Sequence, residues 1–284
     1  MKKKITVNTL FKSKEEKKPI VCLTAYDYST AKFMDEAGID IILVGDSLAM
    51  TALGHETTHS VTMEEMLHHT KAVTRGAKNS LVVADMPFLS YQTDVKTAVY
   101  NAGRFIKEAG AKAVKLEGGS PYIAEVVSRC VDAGIPVIGH LGFTPQFLYT
   151  IGGYNIQGKN LESTEIILEQ AKGLQKAGAF GVVLEMVPEE SAKLITENLD
   201  ILTIGIGAGR YCSGQILVCD DILGKYSDFT PTFARKYADL QSVITNAFEN
   251  YKNDVIKGKF PSGKEIFHLS EEEKTRLLKL NKKP

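Results

Sequence analysis

The chain has no surplus of charge: 34 basic and 34 acidic residues cancel across 284 positions. Such a balance lacks the basic footprint expected of a nucleic-acid or anionic-membrane partner. Long apolar runs are missing as well, and none approaches the roughly 18 residues that a bilayer span requires. The N-terminal stretch MKKKITVNTLFKSKEEKKPI is basic but has no continuous apolar segment behind it, so it does not read as a secretory signal. Cysteine is scarce. Cys22, Cys130, Cys212 and Cys219 form no CxxC pair and no regular spacing. Reduced thiols in a cytoplasmic protein are the expectation.

What is present is an ordinary apolar content of 44%, enough to bury a sizeable core. Glycine punctuates it with a rhythm: EAGID (36–40), EAGAKAV (108–114), DAGIPV (132–137) and KAGAFGV (176–182). Each is an amphipathic run stopped by glycine, the usual residue just past a helix, and followed by a short apolar run. Helical spacing is clear in 94–109, and in 121–133, where Ser120 caps and Pro121 opens the first turn. The apolar runs read as strands buried on both faces. There are eight: VCLTAYD, IDIILVGDS, SLVVADMPF, AVKLEGG, IPVIGHLG, FGVVLEMVP, ILTIGIGAG and QILVCDD.

Eight βα units predict an α/β fold, a (β/α)8 TIM barrel, in preference to an open doubly wound sheet. The expectation is one domain over 1–284, with the barrel over about 20–258 and a peripheral tail over 259–284. The first 20 residues cap the bottom. The segment 211–215 is too short for a helix between strands 7 and 8, and 231–258 reads as a long terminal helix. The charged end, 269–284, is either a short surface helix or disordered.

In a barrel the C-terminal strand ends meet at one mouth, and polar residues there read as chemistry. Strand 2 ends in Asp46 and Ser47, strand 3 in Asp85, strand 4 in Lys115 and Glu117, strand 5 in His140 and strand 6 in Glu185. Lys115 and Glu117 lie two apart on a strand and so share a face. Three acids on consecutive strands, Asp46, Asp85 and Glu117, resemble a hard-cation site of the Mg²⁺ kind. The bland alternative is that each acid caps the following helix. Lys115 is either a fixed cation for a substrate oxygen or a partner for Glu117 alone. His140 is either a pocket donor or a satisfied core histidine. Glu185, between Leu184 and Met186, stands apart from the metal strands as a candidate base; otherwise it is a helix-start acid before Pro188. His68 and His69 diverge on a helix and cannot chelate together. His55 and His59 fall in a loop. GIGAG lacks dinucleotide spacing and suits close backbone approach instead. The long segment 142–160 reads as a lid.

The motifs TAYDYSTAKFMDEAG, LVGDSLAM, VTMEEMLHHTKAVTRGA, ADMPF, VKLEGG, PVIGHLGFTPQ, GGYNIQGK, LEMVP and IGIGAG occur in order between about residues 3 and 268. Together they resemble the ketopantoate hydroxymethyltransferase family. That resemblance implies a (β/α)8 barrel using Mg²⁺ and 5,10-methylenetetrahydrofolate to convert 3-methyl-2-oxobutanoate to 2-dehydropantoate, the first committed step toward pantothenate and coenzyme A. It implies metal-site acids at Asp46, Asp85 and Glu117, and a general base at Glu185. Substrate contacts are implied at Asp46, Ser47, Asp85, Lys115 and His140. It also implies a homo-oligomer, a decamer of two stacked rings. Ala49 stands where the family has glycine, and Ser213 where it often has aspartate. The rival is a Mg²⁺-dependent 2-oxo acid lyase or mutase of the phosphoenolpyruvate mutase/isocitrate lyase type. Those enzymes carry a Lys-Lys-Cys-Gly-His stretch that this chain lacks.

Overall fold

Side chains on a strand alternate between two faces, and here that alternation separates a barrel interior from a helix-facing exterior. The computed structural model describes residues 4–226 and 231–280. Its strands are β1 (Ile20–Thr24), β2 (Ile41–Val44), β3 (Leu81–Asp85), β4 (Ala113–Glu117), β5 (Val137–Gly142), β6 (Gly181–Glu185), β7 (Leu202–Ile206) and β8 (Gly214–Leu217). All are parallel in sequence order, and β8 pairs with β1 to close the barrel. Cys22, Ile41, Leu43, Leu81, Val83, Ile138, Val183, Ile204 and Ile216 fill the interior. Their alternates, among them Ile42, Val82, Val114, Leu116 and Val182, pack outward with the helices.

The expected eight strands are all present, and the expected Ser120 cap is joined by one at Asp94. Ser120 Oγ accepts from Ile123 N at the start of Pro121–Asp132, and Asp94 caps Val95–Lys107. The N-terminal segment seals the bottom. Leu10 of helix Val7–Glu15 is buried with the interior residues, and Lys14 Nζ donates to the carbonyls of Leu199, Asp200 and Ile201. No helix separates β7 from β8. Parallel neighbours usually need a crossover of a dozen or more residues, but β8 enters level with Ile204, so the chain drops back only slightly. Gly207 and Gly209, at φ 60° and 72°, make that turn. A Cβ on Gly209 would lie 2.5 Å from Glu189 Cβ, so GIGAG does serve close approach to a helix.

The chain divides into two compact units between Lys236 and Tyr237. The terminal helix is Leu240–Ile256, shorter than the expected 231–258, because Asp239 caps it there. Helix Glu271–Leu280 occupies much of the charged tail. Residues 281–284 of that expectation, and 1–3 of the expected bottom cap, lie outside the described residues.

Candidate active site

Strands β3 to β6 run from apolar to polar on their inward faces: Leu81–Val83–Asp85, Ala113–Lys115–Glu117, Ile138–His140 and Val183–Glu185. Register then sets the neighbours. Asp85 pairs with Lys115, and Glu117 with His140. Asp46, Ser47, Asp85, Lys115, Glu117, His140 and Glu185 all line one cavity of about 100 Å³. The structure thus brings every sequence-proposed residue to one place. The strand-end acids of β3, β4 and β6 do not cap helices: the helices that follow begin at Asp94, Ser120 and Pro188.

Lys115 is the hub. Its Nζ lies 3.1 Å from Asp85 Oδ1, 3.6 Å from Glu117 Oε1 and 3.1 Å from His140 Nδ1. Burial works against its charge, yet the attraction of Asp85, Glu117 and Asp46 holds it above the ordinary lysine range. Burial, with the nearby charge of Glu117, pushes the Asp46 carboxyl up to about 6. Burial raises Asp85 to about 7, against the pull of Lys115. Glu117 is raised too, again by burial. His140 moves the other way, down to about 4, through burial and the Lys115 charge. A neutral imidazole carries one proton. An ammonium can only donate, so Nδ1 accepts from Lys115 and the proton sits on Nε2. Nε2 lies 3.1 Å from Glu185 Oε2. His140 Nδ1 and Glu117 Oε1, 3.1 Å apart, then meet acceptor to acceptor, which the raised affinity of Glu117 for a proton relieves.

The sequence reading missed Gln146. It is buried in the segment after β5, and its groups tie the mouth together. The side-chain Nε2 donates to Asp46 Oδ2 and to the Met86 carbonyl, both at 2.9 Å. Its backbone N–H donates to Glu117 Oε2 at 2.9 Å. Its Oε1 accepts from Tyr91 Oη at 2.7 Å. The start of the expected lid is therefore part of the fixed site. His59, set aside as a loop residue, contacts the Gln146 carbonyl at 3.1 Å through Nε2 and packs against Phe88 and Tyr149. Ser47 Oγ joins Tyr26 Oη at 2.9 Å, and Tyr26 accepts from Thr24 Oγ1. Neither Gln146 nor Tyr91 carries a charge or a period to mark it; only their distance from the acids in space does. Ala49 is wholly buried in the core, and Ser213 bonds with Thr203, away from the cavity.

Among the described residues no three His, Cys, Asp or Glu side chains are gathered closely enough to hold a metal by themselves. The donor chemistry nevertheless suits a hard cation. Asp85 Oδ1 has no hydrogen-bond partner beyond its ion contact with Lys115. The Asp46 N–H donates to Asp85 Oδ2 at 3.0 Å, which sets the two residues side by side. Mg²⁺ needs only one or two carboxylates when water and substrate complete its shell.

A closed parallel barrel with a buried lysine, several carboxylates and a histidine gathered at its C-terminal mouth has the layout of a TIM-barrel enzyme. The likeness to solved structures agrees on the fold. Phosphonopyruvate hydrolase, solved in complex with oxalate and Mg++, superposes with a TM-score of 0.60 at 12% identity, covering 98% of this chain and 99% of that one. For 2,3-dimethylmalate lyase, a PEP mutase/isocitrate lyase superfamily member, the TM-score is 0.58 at 14% identity, with 97% and 98% covered. The particular family comes from sequence. A model of the ketopantoate hydroxymethyltransferase family matches residues 4–263, and the chain belongs to that family. The 3-methyl-2-oxobutanoate hydroxymethyltransferase of Enterococcus faecalis is 55% identical over 269 residues, 95% of this chain and 98% of its own. That of Clostridium acetobutylicum is 52% identical over 268 residues, 94% and 97%.

Proposed function

We propose that the enzyme transfers a hydroxymethyl unit from 5,10-methylenetetrahydrofolate to 3-methyl-2-oxobutanoate, giving 2-dehydropantoate for pantothenate and coenzyme A synthesis. One observation carries the reading: in a member of this family, seven chemically suited side chains line one cavity. Asp46 and Asp85 are the residues to hold Mg²⁺. Glu117, with Oε2 taken by the Gln146 N–H and Oε1 near Lys115, supports them from behind. When bound, the ion supplies Lewis acidity that makes the C3 hydrogen of the keto acid easier to remove.

Glu185 takes that proton; His140 Nε2 stands 3.1 Å from its Oε2 but makes no hydrogen bond to it before substrate binds. Lys115 supplies the fixed positive charge that stabilises the enolate oxygen. One carbon–nitrogen bond of the folate methylene group opens, its nitrogen gaining the proton taken from C3, and the enolate carbon bonds to the methylene carbon. Water then replaces the second nitrogen, its oxygen becoming the hydroxyl and its proton passing to that nitrogen, and tetrahydrofolate leaves. Glu185→Gln is expected to bind the keto acid yet lose exchange of its C3 hydrogen with deuterium, by at least about 100-fold. Proton NMR in heavy water reads this, and unimpaired exchange removes Glu185 from the role.

The fold likeness to lyases and mutases lies at 12–14% identity and bears on the fold alone. Cleavage of isocitrate-like substrates would favour that rival. No helix among the described residues is long and apolar enough to cross a membrane, and we place the enzyme in the cytoplasm; fractionation with antibody detection checks this. We also propose assembly with copies of itself, in keeping with the outward Phe248, Tyr251 and Val255 of Leu240–Ile256. Sedimentation would read a multiple of the 31.1 kDa chain.

A further inference from the structure

The mouth holds a second hollow, of about 120 Å³. It shares Ser47, Pro145, Glu185 and Val218 with the acid cavity, so the two are continuous beside the candidate base. Its character differs. Phe143 and Tyr154, with ring centroids 5.1 Å apart and planes tilted by 35°, form part of its wall together with Tyr226. Besides Ser47, Thr51 and Glu185, its lining includes two well-buried polar side chains, Asp221 and Thr58, exposed by only 5% and 4%. Thr58 Oγ1 has no hydrogen-bond partner. The Asp221 carboxylate forms no hydrogen bond or ion pair among the described residues; Asp220 and Lys236 are the charges that act on it. A buried polar atom left without a partner, as Thr58 Oγ1 is, costs about 1–3 kcal/mol, so a ligand that pairs with it gains.

The occupant must be flat, to pack on rings, and must present adjacent N–H donors to the Asp221 carboxylate. It must also deliver a carbon to a centre next to Glu185. We propose that this hollow receives the pterin ring of the folate co-substrate, with Asp221 accepting from its ring N–H and exocyclic amine and the Phe143 and Tyr154 rings packing on it. This rests on the function proposed above. Burial and the charge of Asp220 push the Asp221 carboxyl up to about 6, and a paired donor edge relieves that cost. A larger hollow, about 350 Å³ between Gly118–Ser120 and helix Leu161–Lys176, shares no residue with the acid cavity. A donor bound there would not meet Glu185.

The test is calorimetry of wild type, Asp221→Asn and Tyr154→Leu with two probes, tetrahydrofolate and 3-methyl-2-oxobutanoate, in Mg²⁺. Both variants are expected to bind tetrahydrofolate at least ten-fold more weakly while the keto acid Kd stays within two-fold. Asp221→Asn puts an amide where the donor edge needs an acceptor. Tyr154 is half exposed, so its loss spares the fold. Tetrahydrofolate bound by both variants as tightly as by wild type overturns the assignment. So does equal weakening of both probes, which marks a general loss of structure. Wild-type exchange of the C3 hydrogen is measured alongside. Its absence sinks the proposed function, while the tetrahydrofolate titrations still report on Asp221 separately.

Discussion

Gln146 shows how one neutral side chain can hold several charged ones. It donates to Asp46 and, through its backbone, to Glu117, and it accepts from Tyr91 and Gln92. Truncation to alanine leaves Asp46 Oδ2, the Met86 carbonyl and the Tyr91 hydroxyl short of partners. Each buried group left unsatisfied costs about 1–3 kcal/mol. Gln146→Ala is therefore expected to lower the melting temperature and to weaken Mg²⁺-dependent keto acid binding by roughly ten-fold or more. Scanning calorimetry and titration check the two parts. A variant that melts and binds as wild type would leave Gln146 as filling. Glu117, Lys115 and His140 were legible in the sequence because charge on a buried strand is costly without a purpose. Gln146 was not, because an amide in a loop signals nothing until the loop is folded over the mouth.

At the scale of elements, closure of the barrel depends on β8 fitting against β1. Gly214 pairs with Ile20, and a Cβ there would lie 2.4 Å from the Ile20 carbonyl and 2.8 Å from its Cβ. Neither neighbour is the end of a flexible side chain. Gly214→Ala should therefore destabilise by about 1–3 kcal/mol or more, a figure that urea unfolding gives directly. Unchanged stability would mean that the seam yields more easily than its spacing suggests. The eight strands and their helices were readable because apolar periodicity and glycine stops are local signals. The late start of helix Leu240–Ile256 was not, since residues 231–239 include apolar positions that mimic helical spacing.

For the molecule as a whole, the crowded mouth ties stability to pH. Asp46 and Asp85 have folded affinities for protons raised to about 6 and about 7. A raised carboxyl contributes its stability below the unfolded value near 4 and loses it as pH rises through the folded value. The penalty is thus complete at pH 8. In metal-free protein, Asp46→Asn is expected to melt higher than wild type at pH 8, by roughly 5 °C for a penalty of about 2–3 kcal/mol. The gain should vanish near pH 4. His140, lowered to about 4, acts oppositely, since the folded state resists the proton that the unfolded chain takes up as pH falls below about 6.5. Comparing the variant with wild type cancels that common contribution. Added Mg²⁺ should stabilise wild type at pH 8 and do little at pH 5, where protons compete. A melting curve indifferent to Mg²⁺ at pH 8 would remove Asp46 and Asp85 as ligands.

The amino-acid sequence by itself determined the strand count, the parallel barrel and the polar residues at the ends of strands 2 to 6, because alternation and helix stops act within a few residues along the chain. Only the tertiary structure decided that Lys115 stands between Asp85, Glu117 and His140, that Gln146 binds the acids together, and that Asp221 and Thr58 sit unpaired beside Glu185. Those relations are set by strand register and by loops crossing the mouth. They join residues as far apart as Asp46 and Gln146, whose meeting no local pattern encodes.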